Sequence, residues 1–177
     1  MKKVRAVIYM IITFFVIYFL QANFFTWFNI SGIMPNLYVI LVLFIGLFLR
    51  KKLGLTFGIM IGIFLDFVTR RSVGISCIMF GMIGFLAEII GKDFSKDSRL
   101  TIILMVMAST LLYEDGIYLS KIIFAQTPLE LFSFIKILII EILFNATITI
   151  IIYPIMKKVG YYFEDSFTDK MELTRFF

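Results

Sequence analysis

Six apolar segments, each bounded by polar or charged residues, dominate this sequence and restrict what it can fold into. Hydrophobic residues make up 61% of the 177 residues and charged residues only 16%, against about 25% charged in an ordinary soluble domain. A soluble domain of this size has no core large enough for so much apolar surface. The pattern therefore predicts an all-α integral membrane protein with six transmembrane helices. The segments cover residues 6–28, 35–49, 53–69, 73–91, 100–124 and 131–156.

The chain is expected to hold one membrane domain and a short tail. Residues 1–160 are predicted to form the six-helix transmembrane domain, and residues 161–177 a short cytoplasmic tail of mixed charge. The first apolar segment follows three basic residues, as a signal peptide would. It is too long for the apolar part of a signal peptide, however, and no small-residue cleavage motif follows it. We therefore expect it to be retained as the first span.

The second and third segments are short for a bilayer. At about 1.5 Å per residue, the second segment covers about 22 Å, which is less than the ~30 Å hydrocarbon core. Longer neighbours could shield these segments, the bilayer could thin locally, or the two could form a re-entrant hairpin. We favour two full spans.

Lysine and arginine clusters predict the orientation in the membrane, because cytoplasmic loops carry an excess of both residues. The clusters lie before the first segment, in every second linker and after the last segment. The one exception is Arg70-Arg71, after the third segment. Both termini are therefore expected in the cytoplasm, with the protein in the inner (cytoplasmic) membrane. The clusters are Lys2, Lys3 and Arg5; Arg50, Lys51 and Lys52; Lys92, Lys96 and Arg99; and Lys157 and Lys158.

The chain has little material for catalysis. It contains no histidine, and Cys77 is its only cysteine. This composition excludes histidine-containing and cysteine-cluster zinc sites, Ser–His catalysis and an intrachain disulfide, while carboxylate metal sites remain possible in principle. We expect no catalytic residues, no metal, no cofactor and no nucleic-acid partner.

The strongest local pattern is a glycine stripe in the third segment. Gly54, Gly58, Gly62 and Asp66 fall at every fourth residue, so they lie on one face of a helix. Small residues allow another backbone to approach closely, and a carboxylate on the same face is expected to point at protein rather than lipid. Asp66 could fix an internal helix contact, organise a contact needed for assembly, or act in a proton or ion relay.

Further polar residues lie inside the last two segments. Glu114 and Asp115 are adjacent near the middle of the fifth segment, and Glu141 and Asn145 share one face of the sixth. Two adjacent carboxyl groups in a span need a cationic partner or a proton. With Asp66, these residues could converge as a polar seam that locks the bundle, or as a cavity for a small ligand or ion. We favour the seam.

An ordered set of motifs resembles the family of the rod shape-determining protein MreD. The set begins with Met34-Pro35-Asn36-Leu37 and continues with the glycine stripe that ends at Asp66 and with Val73-Gly74. The acidic position at Glu114-Asp115 and the stretch from Asn145 to Lys158 also resemble the family. Arg70-Arg71 departs from the small polar loop of the family, and Val73 replaces its leucine.

The resemblance implies a non-catalytic scaffold of the bacterial rod complex, which directs lateral peptidoglycan synthesis and cell shape. It implies an MreC-like bitopic protein as direct partner, with the MreB filament and the RodA–penicillin-binding-protein synthase as the wider complex. The implied groove for helix packing or partners contains Pro35, Asn36, the glycine stripe with Asp66, and Gly74. A fold like the substrate-binding subunits of energy-coupling-factor transporters is also implied.

The alternative function is a substrate-binding membrane subunit of a vitamin-type uptake transporter. Such a subunit should retain a tightly bound small molecule on purification, whereas a scaffold should retain protein partners.

Overall fold

The computed structural model describes residues 2–49, 53–69, 74–93, 97–126, 128 and 130–167. Several predicted features lie outside these residues: the basic cluster at 50–52, Arg70-Arg71 with Val73, Lys96, and the tail from residue 168. Within the described part the chain is helical and forms no strand; one isolated bridge pairs Ile30 with Ile33.

The six predicted helical segments are confirmed within the described residues. The first consists of α1, a π-helical turn and the short α2, which together run from Lys2 to Trp27. Three helical stretches are long and apolar enough to cross a membrane, namely Val4–Trp27, Arg99–Phe124 and Leu131–Phe167. The elements are α1 (Lys2–Phe19), the π turn (Leu20–Phe24), α2 (Phe25–Trp27), α3 (Leu37–Phe48), α4 (Leu53–Thr69), α5 (Ile75–Asp93), α6 (Arg99–Ala125) and α7 (Leu131–Phe167).

Side-chain contacts define two ends of the bundle. At the terminal end, Tyr9 of α1 and Phe48 of α3 contact Tyr162 and Tyr161 near the end of α7. At the opposite end, here called the distal end, the end of the first helix, the start of α3, the end of α4 and the start of α5 lie together.

The short helix α3 is the centre of the bundle. All twelve of its residues are buried, and it packs against α1, α4, α5, α6 and α7. Twelve residues span only about 18 Å, so α3 by itself does not match the thickness of a bilayer. Its neighbours shield it on every side, which is why its sequence is apolar all round.

The outer helices expose apolar surface. Of the residues from Val4 to Phe19, only Ala6, Met10 and Phe14 are buried, at a spacing of four residues, and the large apolar side chains between them are exposed. α7 also exposes large apolar side chains along its length, such as Ile139, Leu143 and Ile151. In water such surfaces would drive aggregation, whereas in a bilayer they contact lipid.

The last helix is longer than the sixth predicted segment. α7 continues past residue 156 to Phe167 without a break and contains Pro154. Its 37 residues span about 55 Å, which exceeds the thickness of the hydrocarbon core. Residues 161–167 therefore continue this helix at the terminal end, where Phe163 and Ser166 are buried.

Candidate functional site

The glycine stripe of α4 faces α5, and the two backbones touch along it. A Cβ atom placed on Gly54 would lie 2.6 Å from the carbonyl oxygen of Gly84. A Cβ atom on Gly58 would lie 2.7 Å from the carbonyl carbon of Phe80, and one on Gly62 would lie 2.6 Å from the backbone nitrogen of Cys77. Side chains do not make contacts this short, so only glycine permits this helix pair.

Asp66 caps the start of α5. Its carboxylate is buried, with 2% of the residue exposed, and it accepts three backbone hydrogen bonds. The N–H of Gly74 donates to Oδ2 at 2.8 Å, the N–H of Cys77 donates to Oδ2 at 3.3 Å, and the N–H of Ser76 donates to Oδ1 at 3.3 Å. The first N–H groups of a helix have no partner inside the helix. Asp66 therefore joins the end of α4 to the start of α5.

Gly74 supplies the turn that makes this cap possible. Its φ is +99°, a conformation that residues with a Cβ atom rarely adopt. The turn presents the Gly74 N–H to the Asp66 carboxylate. The two sequence-predicted residues thus act on one feature, the junction between α4 and α5.

The start of α3 is held by a glutamine of the first helix. Gln21 lies in the π turn, and its Nε2 donates to the carbonyl oxygen of Pro35 at 2.7 Å. Its Oε1 accepts from the N–H of Leu37 at 3.0 Å. Asn36 caps α3 itself, because its Oδ1 accepts from the N–H of Val39 at 3.3 Å.

Asn145 of α7 also holds the start of α3. The hydrogen bonds of Gln21, Asn36 and Asn145 at this place are here called the polar clamp. Asn145 is fully buried; its Oδ1 accepts from the N–H of Asn36 at 2.8 Å, and its Nδ2 donates to Oγ1 of Thr110 at 2.9 Å. Thr110 in turn donates to the carbonyl oxygen of Val106 in α6. One chain of polar contacts therefore connects α3, α6 and α7.

Two carboxyl groups lie next to this clamp. Glu141, with 6% of the residue exposed, lies within hydrogen-bonding reach of Glu114 and Asn36. Both glutamates line an open cavity of about 340 Å³ at the distal end. Asp115 is only partly buried and does not line this cavity. The structure thus contains both a seam, through Asn145, and a cavity, through the two glutamates.

A second polar cluster lies at the terminal end. Asp97, in the linker between α5 and α6, forms an ion pair with Lys157 of α7 and accepts a hydrogen bond from the Tyr161 hydroxyl at 3.0 Å. The Tyr153 hydroxyl donates to the Asp97 carbonyl oxygen at 2.9 Å. The hydrogen bond from Lys157 and that from Tyr161 lower the pKa of the Asp97 carboxyl. This cluster attaches the linker to the last helix.

Comparison with known families identifies the chain. Residues 1–161 match the family described as rod shape-determining protein MreD. The match covers more than nine tenths of the chain and includes the glycine contact, the Asp66 cap and the polar clamp. The chain belongs to the MreD family. It matches no curated protein and no solved structure.

Membership in the MreD family makes this chain a cell-shape-determining membrane protein. Two of the motifs that resemble the family lie at the same end of the bundle. Pro35 and Asn36 start the buried helix α3, while Asp66 and Gly74 join α4 to α5. In this MreD-family protein both motifs therefore fix helix ends on the distal side of the bundle.

Two residues of the site were missed in the sequence, Gln21 and Thr110. Gln21 was recognisable as a polar residue within an otherwise apolar first segment. Thr110 carried no comparable signal, because threonine in a membrane helix can bond to its own backbone and face any direction. Gly46 of α3 was also missed, although a Cβ atom there would lie 2.6 Å from the carbonyl oxygen of Gly84.

Proposed function

We propose that this chain is a non-catalytic scaffold of the bacterial rod complex, which binds an MreC-like bitopic protein and helps to direct lateral peptidoglycan synthesis. One observation carries the proposal. Three polar residues of the family motifs, Asp66, Asn36 and Asn145, bond to the backbone at helix ends of the chain itself. Used in this way, they hold a rigid shape, which is what a scaffold needs.

The partner would bind from within the membrane. A bitopic protein offers a single transmembrane helix, and helices associate in lipid through close packing of small residues. An apolar groove of about 120 Å³ opens between α5 and α6 and reaches Leu43 of the buried helix α3. Its lining includes the small residues Ala87 of α5 and Ala108 and Ser109 of α6. We expect the partner helix to pack in this groove, with the MreB filament and the RodA–penicillin-binding-protein synthase joining as the wider complex.

Copurification from native membrane tests this function. The tagged chain should retain an MreC-like protein that mass spectrometry identifies, and it should restore rod shape to cells that lack it. Ala108→Phe fills the groove and should reduce both results. Leu104→Phe is the matched control, because Leu104 lies one turn earlier on α6, is 56% exposed and does not line the groove.

The alternative function predicts a different result. A substrate-binding subunit of an uptake transporter should copurify with the ATP-hydrolysing module of that transporter and without rod-complex proteins. Restored uptake of a vitamin, with no effect on cell shape, would replace the scaffold by this alternative.

A further inference from the structure

Glu141 has an unused oxygen in a buried position. Its Oε1 has no hydrogen-bond partner among the described residues, although more than nine tenths of the residue is buried. Buried polar atoms in proteins are almost always hydrogen-bonded, because an unpaired buried group costs free energy. Glu141 lines the cavity at the distal end, so a bound molecule could supply the missing donor.

The lining of this cavity favours a positively charged molecule. Glu114 adds a second carboxyl group beside Glu141, and the described lining residues include no lysine or arginine. Acidic groups within low-dielectric walls concentrate the field on a cation. The rings of Tyr38 and Tyr113 also line the cavity, and aromatic faces attract ammonium groups.

The size and the remaining lining favour an organic cation over a metal ion. A volume of about 340 Å³ lies within the range of small-molecule sites. A metal ion would need several more ligands, and no group of three or more His, Cys, Asp or Glu residues in the described part of the chain could hold one. Leu65 and Ile137 offer apolar wall for a short hydrocarbon chain.

We propose that the cavity at the distal end binds a small organic cation, a primary ammonium on a short apolar chain, with Glu141 as its main anchor. The ammonium would donate to Oε1 of Glu141, and its hydrocarbon part would lie against Ile137 and Leu65. This site goes beyond the scaffold function and does not depend on it, because none of its lining residues lines the groove between α5 and α6.

Binding of n-butylammonium to the purified protein in detergent micelles tests the proposal. A primary amine is protonated at pH 7, since the lysine amine has a pKa near 10.4. We expect heat of binding by calorimetry and a higher melting temperature, because a ligand that binds the folded state stabilises it. n-Butanol, which has the same chain without the charge, should give neither.

Three variants distinguish binding in this cavity from binding elsewhere on the protein. Glu141→Gln keeps the size and removes the charge, so affinity should fall about tenfold or more. Glu88→Gln is the matched control, because Glu88 is a buried glutamate of α5 that does not line the cavity. Ile137→Trp fills the cavity without altering a carboxyl group, and it should also abolish binding if Glu141→Gln fails to fold.

Three results would overturn the proposal. Equal binding of n-butanol and n-butylammonium would show that charge is not recognised. Unchanged affinity in both Glu141→Gln and Ile137→Trp would place any binding elsewhere. Arg70 and Arg71 follow the lining residue Thr69 in the sequence. Binding seen only after Arg70→Gln with Arg71→Gln would mean that a guanidinium of the chain itself satisfies Glu141.

Discussion

The carboxylate of Asp66 shows how a charged residue can be stable inside a membrane protein. Both of its oxygens accept backbone N–H groups at the start of α5. These donors would otherwise be unpaired, and the positive end of the helix dipole favours a negative charge at the same place. Asp66 is therefore best understood as a fixed link between α4 and α5.

Substitution of Asp66 should reveal this role. Asp66→Asn keeps the size and one acceptor oxygen, so we expect it to lower the melting temperature of the purified protein moderately. Asp66→Leu leaves three N–H groups of the α5 start without an acceptor, at about 1–3 kcal/mol for each buried unsatisfied group. It should lower stability and partner copurification much further.

Equal loss of function in Asp66→Asn and Asp66→Leu would assign a different role to Asp66. A proton or ion relay requires a titratable group, so Asn and Leu would then both abolish rod-shape complementation while assembly stayed normal. That outcome would contradict the structural role. Asp115→Asn provides a control, since Asp115 lies on α6, is only partly buried and takes no part in the three hydrogen bonds that Asp66 accepts.

Asn145 shows a second use of a polar residue, in which one side chain joins three helices. Its Oδ1 accepts a hydrogen bond from the N–H of Asn36, which lies 109 residues earlier in the sequence. Its Nδ2 donates to Oγ1 of Thr110, which lies 35 residues earlier. Asn36 is the cap of α3, so Asn145 helps to determine where the buried helix begins. The cavity with Glu141 lies directly beside this cap.

At the scale of helices, the contact between α4 and α5 depends on glycine. A leucine at Gly58 would force the two backbones apart, and even the Cβ atom of alanine would lie within 3.0 Å of backbone atoms of Phe80. We therefore expect Gly58→Ala to cost about 1–3 kcal/mol, as overpacking does, and Gly58→Leu to cost more. Thermal unfolding followed by circular dichroism measures both.

Gly81 provides the matched control for this contact. It lies on α5 at the same interface, but a Cβ atom there would meet the Ile59 side chain at 3.0 Å, and its three nearest contacts are all side-chain atoms, of Ile59 and Leu55. A side chain can adjust, so Gly81→Ala should be milder than Gly58→Ala. If leucine at Gly58 and leucine at Gly62 both left the stability of the protein as in the wild type, the close contact would be contradicted.

At the scale of the whole molecule, the distribution of charge predicts the orientation. Lys157 and Lys158, in the last third of α7, and Arg99, at the start of α6, lie at the terminal end, where Lys157 and Asp97 pair. By the excess of lysine and arginine in cytoplasmic loops, we expect this end, with both termini, in the cytoplasm. The distal end, with its cavity, would then face outward.

Reporter fusions test this orientation. A reporter that is active only outside the cytoplasm should be silent at residues 1 and 177 and active at Gly32, which lies in an exposed turn of the distal end. An active fusion at residue 177 would contradict six crossings. It would require an odd number of crossings, so that one of the shorter apolar helices α3, α4 and α5 would not cross the membrane.

The sequence determined the class of fold and the positions of the helices. Apolar length and flanking charge are local properties, so the six segments could be delimited without knowledge of their neighbours. The spacing of Gly54, Gly58, Gly62 and Asp66 is local in the same way, because a period near 3.6 places them on one face of any helix. Family motifs such as Pro35-Asn36 were visible for the same reason.

Only the tertiary structure decided which surfaces meet. Helices in lipid are apolar all round, so periodicity could not show that α3 is central, that the glycine stripe faces α5, or that α7 continues to Phe167. Hydrogen bonds between residues far apart in sequence depend on where the chain returns, and for this reason Gln21 and Thr110 were missed. The unpaired oxygen of Glu141 and the cavity beside it likewise exist only because residues of all six helical segments and of the linker before α3 come together there.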